Sequence, residues 1–224
     1  MTTLADHAGD RLSAARRAGV LAVLRAPSSA AALDAIDALV RGGITGIEVT
    51  YSTPDAAEVI AAAKARHGES AYVGAGTVTT GAQAREAADA GAAFLVSPGT
   101  LAELAGEMRA TGVVTMTGAL TPSEVMTAQQ LEVDVIKIFP ASLGGPAYLG
   151  ALRGPFPAAN LMPTGGVTPE NLAAWFSAGA VAVGAGGDLV PAKALATSDF
   201  AEIERRAVLF AAALRAVQAD GNVS

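Results

Sequence analysis

Short apolar runs alternate with longer amphipathic ones along nearly the whole chain, at a spacing of about 25 residues. The short runs are rich in β-branched residues: Val20 to Arg25, Ile44 to Thr50, Ala71 to Gly76, Phe94 to Ser97, Val113 to Met116, Val135 to Phe139, Leu161 to Pro163 and Ala180 to Gly184. Between them Ser29 to Arg41, Pro54 to Arg66, Gly81 to Ala90, Leu101 to Ala110, Ser123 to Leu131 and Pro169 to Ala178 read as alanine-rich amphipathic helices. Three of the helix starts, Thr53-Pro54-Asp55, Thr121-Pro122-Ser123-Glu124 and Thr168-Pro169-Glu170, predict a hydroxyl cap followed by proline in the first turn. Glycines after Arg41, Ala90 and Thr111 predict left-handed caps just before the next strand.

Eight strands alternating with helices in 224 residues predict a (β/α)8 TIM barrel of α/β class, with a doubly wound open sheet as the alternative. Leu4 to Ala18 is expected to add an extra N-terminal helix across the bottom of the barrel, and Phe200 to Gln218 to form the last helix. No Pro/Ser-rich linker interrupts the pattern, so residues 1–224 are expected to form a single domain.

Composition narrows the function. A net charge of −6 and a pI near 4.9 leave no basic stripe, which argues against nucleic acid as a partner. With 51% hydrophobic and 16% charged residues and a mean hydropathy of +0.40, the chain can fill a large core and cover apolar surface by oligomerisation. Cysteine is absent, so thiolate chemistry and disulfides are excluded. No apolar run nears a membrane span and no signal-peptide pattern opens the chain, so a cytoplasmic location with no membrane partner is expected.

One residue departs from the pattern. Lys137 lies within Val133-Asp134-Val135-Ile136-Lys137-Ile138-Phe139-Pro140, and the chain's other lysines, Lys64 and Lys193, fall in polar helical surroundings. A buried lysine is disfavoured in its charged form, and a neutral amine is a nucleophile for carbonyls. The alternatives are a side chain snorkelling to water and a pair with Asp134. Strand parity puts Lys137 on one face with Val135 and Phe139, and Glu48 on one face with Gly46 and Thr50. With Arg25 at the end of the first strand, these charges converge on the barrel mouth, where active sites of this fold form. A structural ion pair between Glu48 and Arg25 is the competing reading. Gly165-Gly166 after the seventh strand and Gly184-Ala185-Gly186-Gly187-Asp188 after the eighth stand where many barrels bind phosphate on backbone N–H groups.

Five segments, Gly46-Ile47-Glu48-Val49-Thr50, Gly74-Ala75-Gly76-Thr77-Val78, Phe94-Leu95-Val96-Ser97-Pro98-Gly99, Ile136-Lys137-Ile138-Phe139-Pro140-Ala141 and Pro163-Thr164-Gly165-Gly166-Val167, together resemble the 2-keto-3-deoxy-6-phosphogluconate (KDPG) and 4-hydroxy-2-oxoglutarate (KHG) aldolase family. The resemblance runs in order over nearly the whole chain. It implies a class I aldolase, assembled as a homotrimer, with Lys137 as the Schiff-base lysine and Glu48 as the general acid/base. By the same match Thr77, Pro98 and Phe139 line a pyruvate pocket, while Thr164, Gly165 and Gly166 help hold the substrate and its phosphate.

The chain also departs from the family pattern. Tyr51-Ser52-Thr53 stands where many members carry an arginine, which leaves Arg25 to hold the substrate carboxylate. Gly187 stands where many have serine, followed by Asp188, which is expected to face away as a helix N-cap. Thr117 stands where proline is common.

The chemistry implied needs no cofactor and no metal, and the chain's two histidines, His7 and His67, lie far apart. Two other functions compete: a different phosphate-binding barrel enzyme, such as an epimerase or a thiamine-phosphate synthase-like transferase, and a non-catalytic self-assembling barrel.

Overall fold

The structure is a computed structural model that describes residues 12–219. Eight parallel strands carry the architecture: β1 (Val20–Leu24), β2 (Gly46–Thr50), β3 (Tyr72–Gly76), β4 (Phe94–Val96), β5 (Val114–Ala119), β6 (Val135–Ile138), β7 (Leu161–Pro163) and β8 (Val183–Ala185). They pair in the order β7-β6-β5-β4-β3-β2-β1-β8. The two ends of that row meet through parallel bridges Leu161↔Ala180 and Thr164↔Gly184, which close the sheet into a (β/α)8 barrel and exclude the open doubly wound sheet.

The helices follow in turn. Residues 12–18 form α1, and the part of the expected N-terminal helix from Leu4 to Arg11 lies outside the described residues. Then come α2 (Ser29–Arg41), α3 (Ala56–His67), α4 (Gly81–Asp89), α5 (Ala102–Ala110), α6 (Pro122–Gln130), α7 (Gly145–Arg153), α8 (Leu172–Ser177), α9 (Ala192–Ala196) and α10 (Phe200–Ala219). The short α7 and α9 are absent from the sequence reading. Glycines 144, 145, 150 and 154 dilute the apolar period of α7, and α9 has only five residues.

Parity divides the apolar residues into two cores. The larger lies between the outer faces of the strands and the helices, with Ile47, Val49, Leu95, Ile136 and Trp175 among its members. The smaller fills the lower barrel with Leu21, Phe94, Val96, Val114, Met116, Val135 and Met162, and Leu12, Ala15 and Ala18 of α1 close it from below. The barrel is therefore a packed plug at its N-terminal end, and room for chemistry exists only towards the C-terminal ends of the strands.

The local signals are partly as expected. Gly43, Gly91 and Gly112 have φ values of 92°, 89° and 80°, the left-handed caps foreseen before β2, β4 and β5. Thr121 caps α6 in a capping box with Glu124. Thr53, by contrast, does not cap α3. Asp55 holds that position with φ 52°, and the Thr53 hydroxyl is turned back to β1, accepting from Ala26 N at 3.1 Å. Nor does Asp188 cap a helix, because α9 starts at Ala192 behind Pro191, three residues further from the strand than a cap at Asp188 would begin it.

Candidate active site

Lys137 sits near the end of β6 in register with Gly118 of β5 and Met162 of β7. Its inward parity follows from Val135, two residues earlier, which belongs to the barrel plug. Only 4% of Lys137 is exposed, and none of Glu48. Lys137 Nζ donates to Glu48 Oε1 at 3.3 Å across 89 residues of sequence. The expected convergence of these two side chains is thus met. Lys137 does not snorkel, and Asp134 is engaged instead by Thr115 N at 2.8 Å. Glu48 pairs with the lysine rather than with Arg25.

Burying such a pair is costly unless its remaining hydrogen-bonding capacity is met. It is not met here: Glu48 Oε2 is buried with no hydrogen-bond partner, and so is Thr164 Oγ1. An orphaned carboxylate oxygen of this kind costs on the order of 1–3 kcal/mol or more, which a bound molecule carrying a hydroxyl would recover. Phe139 extends beyond the lysine with its ring centroid 5.4 Å from Nζ, and is 37% exposed, so it forms a wall between the buried amine and the opening.

The space above the plug is made by glycine. A Cβ on Gly76 would lie 2.2 Å from Glu48 Oε1, one on Gly118 would lie 1.9 Å from Pro98 O, and one on Gly184 would lie 2.3 Å from Thr164 Oγ1. Each of these glycines allows a residue of the neighbouring strand, or of the loop just after it, to lie across its Cα. This role is missing from the sequence expectations. The signal was there, because Gly76 pairs with Thr50, and Gly118 with Lys137, so both share the inward parity of Lys137 and Glu48.

The remaining expected residues ring the mouth. Thr77 follows β3 with φ 55°, a left-handed conformation unusual for a β-branched side chain, costing about 1–3 kcal/mol that the surrounding structure must hold. Pro98 is exposed in the loop after β4. Thr164 O accepts from Ala141 N at 2.9 Å, tying the loop after β7 to that after β6. Gly165 and Gly166 follow with φ 98° and 74°, and a Cβ on Gly166 would press on Ser142. Arg25, exposed, has no carboxylate within ion-pair range among the described residues, and its Nη1 lies 3.9 Å from where a Cβ on Gly186 would stand. Gly187 and Asp188 are exposed in the turn after β8, where Asp188 O accepts from Arg206 Nη1 at 2.7 Å. Among the described residues no group of three His, Asp or Glu side chains is placed to hold a metal ion.

A sequence model of the KDPG and KHG aldolases matches residues 12–206, which spans all eight strands. The chain belongs to the KDPG and KHG aldolase family. As a member of that family it is a carbon–carbon lyase. Its relatives include the 2-dehydro-3-deoxy-phosphogluconate aldolase of Treponema pallidum, 39% identical over 167 residues that make up 74% of this chain and 79% of the relative. The Pseudomonas aeruginosa enzyme of the same name is 35% identical over 193 residues, covering 85% and 86%. Among solved structures, KDPG aldolase from Legionella pneumophila, with pyruvate captured at low pH as a covalent carbinolamine intermediate, superposes with a TM-score of 0.79. It is 30% identical, over 90% of this chain and 96% of that one.

Proposed function

We propose that the protein is a Schiff-base aldolase that cleaves a 2-keto-3-deoxy sugar acid, 2-keto-3-deoxy-6-phosphogluconate in the first place, to pyruvate and glyceraldehyde 3-phosphate. Cleavage of 4-hydroxy-2-oxoglutarate to pyruvate and glyoxylate uses the same machinery. The observation that carries this reading is the buried Lys137–Glu48 contact of 3.3 Å, with the second oxygen of Glu48 buried and left without a hydrogen-bond partner. A self-assembling scaffold has no use for a desolvated pair of this kind, and an epimerase or a thiamine-phosphate synthase-like transferase leaves the lysine without a task.

The Lys137 amine, in its unprotonated form, adds to the C2 carbonyl of the keto acid. The carbinolamine then loses water to give an iminium. Glu48 is within proton-transfer reach of the amine and serves both additions and losses of protons there. Oε2 takes the proton of the C4 hydroxyl. The electron pair of that O–H bond becomes the new C=O, the C3–C4 bond breaks, and its electrons pass into the iminium to form an enamine. Glu48 returns a proton to C3, and water hydrolyses the resulting iminium to release pyruvate and the free lysine. The Arg25 fork binds the C1 carboxylate, beside Thr77, Pro98 and Phe139, while Thr164, Gly165, Gly166 and Gly187 receive the distal end of the substrate. Gly187 brings its N–H but no hydroxyl, so phosphate there is held by backbone donors.

Borohydride trapping with pyruvate, followed by peptide mapping, tests the assignment. A reduced pyruvyl adduct on the Lys137 peptide is expected, and none on Lys64 or Lys193; an adduct elsewhere, or none, removes the mechanism. Glu48→Gln is expected to lower turnover by 10²-fold or more, the usual scale for a general acid/base, while trapping persists.

The same reading makes the active protein a cytoplasmic homotrimer. Exposed Leu101, Leu143, Val208 and Leu209 supply apolar surface suited to contact between subunits.

A further inference from the structure

Arg25 is the first residue beyond β1, whose last ladder residue is Leu24, so sheet pairing ends at the peptide before it. Hydroxyls of Thr50, at the end of β2, and of Thr53, three residues beyond it, add hydrogen bonds on both sides of Arg25. Thr53 Oγ1 accepts from Ala26 N at 3.1 Å and lies 3.5 Å from Leu24 O, to which it donates. Thr50 Oγ1 donates to the same carbonyl at 2.9 Å, and Ser52 Oγ lies 2.7 Å from Thr50 Oγ1. Thr53 is only 2% exposed and Ala26 only 4%, so water does not replace the hydroxyl if it is lost.

We propose that Thr53 is a positioning residue for the substrate carboxylate: its hydroxyl clasps the backbone on both sides of Arg25 and so fixes where the guanidinium stands. The inference rests on Arg25 binding that carboxylate. An exposed arginine with a long, flexible side chain to order binds poorly when its backbone also moves, and the clasp removes that part of the disorder. The effect acts on binding of the carboxylate and not on the Lys137–Glu48 chemistry, which lies on the inward face of β2 and β6.

The test measures borohydride trapping of Lys137 against ketone concentration for wild type, Thr53→Val, Thr53→Ser and Arg25→Gln. Pyruvate is compared with hydroxyacetone, a ketone without a carboxylate. Thr53→Val is expected to raise the half-saturating pyruvate concentration about tenfold, with the limiting trapping rate within twofold of wild type. Hydroxyacetone trapping stays unchanged, and Thr53→Ser, which keeps the hydroxyl, restores pyruvate binding. In Arg25→Gln a second change at Thr53 adds nothing. Should Thr53→Val fail to fold, Thr53→Ala against Thr53→Ser makes the same comparison. If Arg25→Gln weakens pyruvate and the Thr53 variants do not, or if they weaken both ketones equally, the positioning role is overturned. If Arg25→Gln leaves pyruvate half-saturation unchanged, the carboxylate assignment of Arg25 itself fails.

Discussion

Gly76 is the residue on which the position of the Glu48 carboxylate depends most directly. Its Cα faces that side chain, and an added methyl would lie 2.2 Å from Oε1 and 2.5 Å from Cγ. The φ of Gly76 is not positive, so alanine is allowed by the backbone and the conflict falls on the glutamate alone. Gly76→Ala is expected to displace the carboxylate by about 1 Å and lower turnover about 10²-fold, as misplaced catalytic groups do. Circular dichroism and the cooperative loss of Trp175 fluorescence should stay as in wild type, since Trp175 is 2% exposed in a different core. Turnover within threefold of wild type would mean that the carboxylate has room the structure does not show.

Lys137 and Glu48 were legible because charge in an apolar strand is expensive enough to stand out in one dimension. Gly76, Gly118 and Gly184 were not read as site residues, because a glycine announces its purpose only through the neighbour that lies across it. Thr53 misled for a related reason: a threonine before proline is a good helix cap, but Ala26, just beyond β1, offers it an N–H.

Helix ends are where the elements reveal most of their stability. The capping box at α6 joins Thr121 Oγ1 to Glu124 N at 3.4 Å, and Glu124 Oε2 to Thr121 N at 2.7 Å and Leu120 N at 2.8 Å. Thr121→Ala should destabilise the protein by about 1 kcal/mol, readable as a lower midpoint in urea at unchanged slope. Hydrogen bonds from the Thr121 backbone, then the Leu120 backbone, then the Thr121 hydroxyl hold the Glu124 carboxyl below the usual carboxylate range. A carboxyl lowered on folding adds stability that is present above its unfolded pKa of about 4.3 and fades as pH falls through the lower folded value. The Tm gap between wild type and Glu124→Ala should therefore be widest near neutrality and shrink in acid below that range. A gap that grows in acid would contradict the assignment.

Element types followed from the apolar period and element ends from glycine, proline and hydroxyl residues. The boundaries that moved did so for local reasons. β5 runs on to Ala119 through Thr117 and Gly118, which look like a turn in isolation, because pairing with Ile136 and Lys137 of β6 continues there. Thr117 itself is satisfied by Thr100, whose hydroxyl lies 2.8 Å away and also donates to Gly118 O at 2.8 Å.

For the molecule as a whole, closure is the event that creates the site. The row of strands ends at β7 and β8, and the bridges Leu161↔Ala180 and Thr164↔Gly184 are the seam. The seam also brings the loop after β7 beside that after β8, the two loops proposed to receive the distal end of the substrate. With apolar side chains left on its outside, the barrel is expected to assemble further. Light scattering coupled to size exclusion should give three times the 22.2 kDa of one chain. A monomer at micromolar concentration would leave Leu101, Leu143, Val208 and Leu209 without the use assigned to them.

By itself the sequence determined that strands alternate with helices, that the chain is acidic and cysteine-free, and that a lysine and a glutamate face inward at strand ends. Those are properties of period and parity, carried by nearest neighbours along the chain. Tertiary structure alone decided that Lys137 meets Glu48 at 3.3 Å across 89 residues, that Asp134 takes no part in that pair, and that Thr53 serves β1 and not α3. The reason is physical: a hydrogen bond forms with whichever partner the closed barrel brings within reach, and distance through space has no trace in a linear pattern.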